Sequence, residues 1–361
     1  MVTRSFRPCI RIGCRDFLVA IEKICMVAMA TRKEHIMKKL VALLLTLVVL
    51  TTSCLAFTGC GNKDDGKFKV GVCQLLQHAA LDQATQGFVD ALKAELGAEN
   101  VEIDVQLASG DTNVCSTIIG NFVSKKVDLI MANATPALQA AASATLDIPI
   151  LGTSITEYGV ALGTQLNDGV VGGNVSGTSD LAPLDEQAQM ILDFCPDVEK
   201  VGIVFCSAEA NSRYQVDEMK KNLEKLGLKA DNIKEFSFSD SNDISAVVEA
   251  ACAWSDVLYI PTDNKAADNA ELIGNIVREH KIPVFTGEEN PAKKCGVASL
   301  TISYYDLGVA TGKMAAKILK GEAYISTMKV EYAPATKKVN KEMCDLLGLA
   351  IPAGYVEMDL E

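Results

Sequence analysis

The sequence repeats itself on the scale of a domain. "KVGVCQLL", beginning at Lys69, is echoed by "KVGIVFCS", beginning at Lys200, and "VDLIMANATP" from Val127 by "SDVLYIPTDN" from Ser255. Asp128 and Asp256 keep almost the same offset as Lys69 and Lys200, so the repeated unit is a domain and not a short solenoid turn. Within each copy, short apolar runs alternate with amphipathic helices, which predicts parallel sheets covered on both faces. With 361 residues, 49% of them hydrophobic, the chain has material for two such cores. The expected fold is α/β, two doubly wound parallel-sheet lobes joined by a hinge. Expected boundaries are 68–178 plus 305–325 for the first lobe and 179–304 plus 326–361 for the second. "GVVGGNVSGTSDLAPLDEQ", rich in Gly and Ser, reads as the crossover between them, with Gly172-Gly173 as the pivot.

The N-terminal stretch has a separate logic. Met37-Lys38-Lys39 and a run of about a dozen apolar residues have the layout of an export signal and fall short of a membrane span. The run ends in Phe57-Thr58-Gly59-Cys60, similar to a bacterial lipoprotein cleavage site. The expectation is therefore a signal over 37–59, lipidation of Cys60, a tether over 60–67 and residence on the extracytoplasmic face of the membrane. Residues 1–36 fit no part of a signal, and Met37 is the expected start.

Charge narrows the partners. With 34 Lys+Arg against 46 Asp+Glu the net charge is −12, and nine of the basic residues lie within the first sixty positions, which leaves the remainder more acidic still, so nucleic acid is not an expected partner. Three histidines, His35, His78 and His280, and the lack of any C-x-x-C spacing argue against a metal site; no cofactor is expected. Seven scattered cysteines follow Cys60, an odd number unsuited to a full disulfide framework.

In open α/β sheets, ligands sit beyond the carboxyl ends of the strands. The stretches leaving those ends are Gln74 to Asp82, Asn133 to Pro136 and Thr153 to Glu157 in the first half. In the second they are Ser207 to Ser212, Thr262 to Asn264 and Gly287 to Asn290. None carries Lys or Arg, so a phosphate has no cation to meet. They offer two helix N-termini, at Thr135-Pro136 and Thr262-Asp263, together with carboxylates. A helix N-terminus holds a carboxylate, and Asp263 and Glu288 suit an ammonium group, so the set fits a zwitterion. Each residue also has a plainer reading. Thr135, Asn211, Ser212 and Asp263 suit N-caps, His78 suits a packed histidine, and Glu289 and Asn290 suit solvated positions.

Seven stretches carry a family resemblance: "VGVCQLLQHAALDQATQGFVDAL", "VDLIMANATPALQAA", "IPILGTSITE", "GGNVSGTSDL", "SAEANSRYQVDEMKK", "YIPTDN" and "YYDLGVATGKMAAKILKGE". Together they resemble the tryptophan/tyrosine-type substrate-binding lipoproteins of bacterial ABC transporters, from about Lys67 to about Pro334. The resemblance implies a clam-shell of the type I periplasmic-binding-protein kind, a monomer that takes a free, aromatic amino acid and delivers it to a membrane permease. The contacts it implies are Gln74, His78, Asp82, Thr135, Pro136, Ser154 and Thr156 from the first lobe, with Asn211, Asp263, Asn264 and Glu288 from the second. Leu76, Leu81 and Tyr304 are candidates to line the aromatic ring. The sequence departs from the family's usual pattern at Gln77-His78-Ala79 and at Glu157-Tyr158, which bears on side-chain specificity.

Other functions remain on the table at this level. A nucleoside or sugar would fit the same cleft, although the loops are poor in stacking aromatics. A tethered protein can also serve as a surface sensor or adhesin. Catalysis is not expected. A two-cysteine amino-acid racemase would need Cys73 and Cys206 facing each other across the cleft, and the repeat puts both within strands.

Overall fold

The computed structural model describes residues 66–360. The expectations for 1–36, for the signal at 37–59 and for lipidation of Cys60 lie outside the described residues. The two sequence copies form two sheets of like topology. The first comprises β1 (Phe68–Gln74), β2 (Val101–Leu107), β3 (Leu129–Asn133), β4 (Ile150–Ile155), β5 (Val175–Ser179) and a short β11 (Glu331–Tyr332), in the order β11-β5-β4-β3-β1-β2. The second comprises β6 (Val201–Cys206), β7 (Ile233–Phe238), β8 (Val257–Ile260), β9 (Val284–Thr286), β10 (Ala298–Thr301), β12 (Thr336–Val339) and β13 (Val356–Glu357), in the order β13-β12-β10-β9-β8-β6-β7. The first five strands of each copy are parallel and run 2-1-3-4-5; β12 is antiparallel to β10. In that order the chain reverses direction between the first and third strands, and a crevice opens there at the carboxyl ends. Gln74 and Asn133 are register partners at this point of the first sheet.

Strand burial explains the apolar runs. β3 and β4 are buried at every position because helices cover both faces. In the first lobe these are α1 (Ala79–Leu96), α2 (Thr112–Lys125), α3 (Thr135–Ala144), α4 (Tyr158–Leu162) and α11 (Tyr304–Leu319). The second lobe has α5 (Leu184–Phe194), α6 (Ala210–Lys225), α7 (Ile244–Trp254), α8 (Asn264–Asp268), α9 (Ala270–His280), α10 (Glu289–Cys295) and α12 (Lys341–Leu347). α1 buries Ala80, Leu81, Ala84, Gly87, Phe88, Ala91 and Leu92, a stripe three and four residues apart. Its small residues face α11 so closely that a Cβ on Gly308 would come within 2.0 Å of the Ala84 carbonyl oxygen, and one on Gly87 within 2.1 Å of that of Tyr305. The two helices are thereby locked together, and with them the site residues at their N-termini, His78 and Tyr304.

The chain crosses between lobes between Ser179 and Leu184, between Thr301 and Tyr304, and between Tyr332 and Thr336. Two expectations shift. Residues 326–332 do not join the second lobe, because Glu331 and Tyr332 pair with Thr178 and Ser179 of the first sheet. Gly172-Gly173 is not the crossover. Both glycines have positive φ, 88° and 60°, in a tight turn that feeds the amino end of β5, and the strand carries the chain away from them before the lobes part. The physical reason is local: the left-handed turn there needs glycine, which the sequence alone presents as flexibility. Trp254, the last residue of α7, packs on Phe236 at the edge of the second core.

Candidate functional site

The first lobe meets the crevice with a helix end that its own side chains leave open. α3 starts at Thr135 with Pro136 in its first turn; its N-cap, Ala134, has no side chain to give, so the first N–H groups lack a cap. Ala134 sits at φ 89° and its neighbour Ser154, at the end of β4, at φ 56°. Such conformations cost on the order of 1 kcal/mol or more for residues with a Cβ and recur at ligand sites. The two are tied, since the Ala134 N–H donates to the Thr153 carbonyl at 3.0 Å. Ser154 is buried, yet its Oγ has no hydrogen-bond partner in the protein, and neither does Asn133 Oδ1 beside it. Below this floor Gln74 Nε2 donates to Asp82 Oδ1 at 2.7 Å, Thr85 Oγ1 donates to Gln74 Oε1 at 2.6 Å, and Asn133 Nδ2 donates to the Leu81 carbonyl at 2.8 Å. Gln74 and Asp82 thus brace the loop that carries His78.

In the second lobe the corresponding helix end is already occupied. Asp263 is the N-cap of α8: its Oδ1 accepts from the Ala266 N–H at 2.9 Å and its Oδ2 from the Cys206 N–H at 2.6 Å. Glu209, which sequence reasoning did not single out, fills the rest of the same pole. It accepts from the Asn264 N–H and the Lys265 N–H, both at 3.1 Å, and from Asn264 Nδ2 at 2.7 Å. Asn211 Nδ2 donates to Glu209 at 3.2 Å and to the Thr262 carbonyl at 3.1 Å, leaving Asn211 Oδ1 buried without a partner. The expectation that Asp263 offers its carboxylate to an ammonium meets a carboxylate shared between two backbone donors.

At the crossings lie two further buried carboxyls, Asp180 and Glu288. Asp180 follows β5 directly and, like Glu209, was not singled out by sequence. Tyr304 Oη, at the start of α11, donates to Asp180 Oδ2 at 3.0 Å and also reaches the Glu288 carboxyl. Asp180, Glu209, Asp263 and Glu288 are only 4%, 4%, 1% and 2% exposed, and Asp180 Oδ1 and Glu288 Oε1 accept no hydrogen bond within the protein. Burial first, then the surrounding carboxylates, pushes Glu288 up to about 8; burial and Glu209 push Asp263 up to about 7, and burial pushes Asp180 up to about 6.

Contacts close a ring around the cleft. Tyr304 bonds to Asp180, Thr156 lies beside Asp180 from the first lobe, and Glu288 lies beside Tyr304 from the second. On the far side His78 Nε2 lies 3.4 Å from Asn264 Oδ1, a direct link between lobes. Burial holds the His78 imidazole below its usual range, and therefore neutral, against the pull of Glu209, Asp82 and Asp268. Of the expected residues the fold gathers His78, Thr156, Asn211, Asp263, Asn264 and Glu288 around the lobe crossings; Thr135, Pro136 and Ser154 lie together at the start of α3 and the end of β4, and Gln74 and Asp82 brace the loop before α1. Glu289 and Asn290 instead line a neighbouring cavity of about 370 Å³, with Gln83 and Lys293, which Tyr304 borders from the ring. Leu76 and Leu81 belong to the first lobe's core.

The two strand cysteines face away from each other. Cys73 lies beside Cys115 inside the first core, both as free thiols, and Cys206 Sγ lies 3.8 Å from the Ser239 carbonyl in the second. Burial raises the Cys206 thiol to about 12. Among the described residues no cluster of metal-ligating side chains occurs, and no helix is long and apolar enough to cross a membrane.

The sequence profile of the ABC transporter substrate binding protein family matches residues 69–355. A tyrosine-binding protein of Clostridioides difficile (strain R20291) is 34% identical over 79% of this chain and 85% of its own. Among solved structures, an ABC domain in complex with L-Trp from Streptococcus pneumonia is 33% identical, covers 80% of this chain and 96% of its own, and superposes with a TM-score of 0.75. The ligand-free, open form of a substrate binding protein with adhesive properties from Clostridium difficile is 37% identical over 81% of this chain and 100% of its own, yet its TM-score is 0.62. The better match at lower identity is to the liganded protein, consistent with lobes that already touch through His78 and Asn264 here.

Proposed function

The chain belongs to the ABC transporter substrate binding protein family, and on that premise we propose that it captures a free, aromatic amino acid between its lobes for delivery to a membrane permease. It is a solute-binding protein with the two-lobed fold of type I periplasmic binding proteins. What carries the finer reading is the pairing of an uncapped helix N-terminus on one wall with partnerless buried carboxylate oxygens on the other. The ligand's carboxylate docks at Thr135, Pro136 and Ser154, where N–H groups and the helix pole favour negative charge. Its ammonium docks against Glu288. Thr156, Asn211 and Asn264 supply polar contacts, His78 latches the lobes, and Gln74, Asp82 and Asp263 hold the loops in place. Tyr304 offers its ring face beside the ammonium, with Leu76 and Leu81 behind the floor.

Closure follows from differential contact. A ligand that bridges both walls binds the closed form better than the open one and shifts the balance by that difference. The protein acts as a monomer outside the cytoplasm, held by a lipid on Cys60, in keeping with the family and the lipoprotein-like sequence around that residue. Surface attachment is a second reading, favoured by the adhesive properties of the Clostridium difficile relative. Nucleosides and sugars are less favoured: the sugar-binding neighbours are 13–18% identical and share the fold alone.

A thermal-shift screen of the purified protein against amino acids, nucleosides and sugars tests the ligand class. Tryptophan, tyrosine or phenylalanine at 100 times its Kd should stabilise the protein by about 2.7 kcal/mol. A shift with a sugar or nucleoside, and none with these amino acids, refutes the reading.

A further inference from the structure

We propose that Asp180 and Glu288, bridged by Tyr304, form a cation seat at the hinge that holds one shared proton when empty and releases it when an ammonium group docks. The proposal rests on the amino-acid reading above and adds a proton to its chemistry.

Three observations converge. First, two buried carboxyls flank one phenol: Tyr304 Oη donates to Asp180 Oδ2 at 3.0 Å, and Glu288 lies beside the same hydroxyl, near enough to act on it. One hydroxyl proton cannot satisfy two buried anions. Second, each carboxyl keeps one oxygen without a partner, Asp180 Oδ1 and Glu288 Oε1, although both residues are more than nine-tenths buried. Third, the charged groups that bear on the pair are of one sign. Asp263 and Glu209 face Glu288 from the second lobe, and Thr156 and Tyr304 meet Asp180 with hydroxyls. Among the described residues no basic group is ion-paired with either carboxyl; Lys293 and Lys338 line the cavity beside Tyr304. Lys265 acts on Cys206, Lys293 pairs with Glu289 at 3.8 Å, and His78 is held neutral by burial. Two like charges buried on either side of one phenol, with no cation paired to either, do not both ionise. The upward displacement of both carboxyls agrees with this.

The step balances simply. The carboxylic acid of the pair becomes a carboxylate, its proton passes to the buffer, and the ligand's ammonium supplies the positive charge that the site lacked. The pair titrates as a unit, so the proton belongs to both residues and not to one. Their place matters too: Asp180 lies in the first crossing and Tyr304 directly after the second, so the seat is completed only when the lobes are set against each other. A ligand lacking an ammonium cannot discharge the proton, and the seat thereby selects for free amines.

The test is calorimetric titration of the full chain in detergent with L-tryptophan or L-tyrosine, at pH 7.5 in buffers of different ionisation enthalpy. The expected slope corresponds to about 0.5–1 proton released per ligand, and affinity should rise by up to about tenfold per pH unit between pH 6 and 8, then flatten. Glu288→Gln should abolish the release and flatten the pH profile, because the remaining carboxyl then ionises alone; Asp180→Asn and Tyr304→Phe serve if that variant does not fold. Tight binding with buffer-independent enthalpy overturns the proposal, as does release unchanged in Glu288→Gln and Asp180→Asn. If neither amino acid binds, the functional reading fails, and infrared spectroscopy of the free protein decides the proton separately. A protonated-carboxyl band at pH 7 that disappears in Glu288→Gln supports the shared proton, and its absence overturns it.

Discussion

The start of α3 and the start of α8 occupy the same place in the two copies of the repeat, directly after the third strand of each sheet, and they are finished in opposite ways. In the first lobe Ala134-Thr135-Pro136 leaves the helix pole open, at the cost of a positive φ at Ala134. In the second Asp263 and Glu209 fill the pole with the protein's own carboxylates. The lesson is one of division of labour. A duplicated scaffold supplies two equivalent anion sites; filling one internally leaves a site with a single positive pole and, across the crossings, a surplus of negative charge. A dipolar ligand then has one way to lie.

The comparison can be broken from the filled side first. Asp263→Ala removes the α8 cap and strands the buried Cys206 N–H, so unfolding free energy should fall by about 2–5 kcal/mol in denaturant titration. If the stability is unchanged and only ligand affinity drops, Asp263 is a ligand contact and the two helix ends are alike after all. From the open side, Ser154→Asp places a carboxylate beside the α3 pole in a backbone conformation that Asp tolerates. It should mimic what Glu209 does to α8, weakening amino-acid binding by roughly 100-fold with stability held, as measured by calorimetry and melting. Undiminished affinity would mean that the pole at Thr135 is not where the ligand's acid sits.

Much of this was legible in the residues, and the rest was hidden for identifiable reasons. The repeat of Lys69 and Lys200 stretches foretold two sheets of one topology, because strand and helix periodicity are written directly in apolar spacing. The strand-end rule marked the stretches that hold His78 and Asn264, the family resemblance implied both as contacts, and they meet at 3.4 Å. Asp180 escaped because it lies within the Gly- and Ser-rich stretch that reads as a crossover; the strand-end rule applied to β5 points to it, since it is the first residue after Ser179. Glu209 stood in a stretch already marked, "SAEANS", but its partners are 55 and 56 residues away and no local pattern announces them. Tyr304 read as an apolar surface because its hydroxyl partners come from two other segments. The strained backbone at Ala134 and Ser154 has no sequence signature: neither residue type favours a positive φ, so tertiary packing alone imposes it. The pivot at Gly172-Gly173 failed for the converse reason, since glycine marks a turn as readily as a hinge.

The central claim is that opposite walls grip opposite charges of one small molecule. Its most direct measurement is a set of four calorimetric titrations with the best-binding aromatic amino acid, its N-acetyl derivative, its methyl ester, and the derivative blocked at both ends. The account predicts that each single block weakens binding by roughly 100-fold or more, because each leaves buried groups unpaired, and that the doubly blocked compound does not bind. An N-acetyl derivative or methyl ester that binds as tightly as the free amino acid would contradict it.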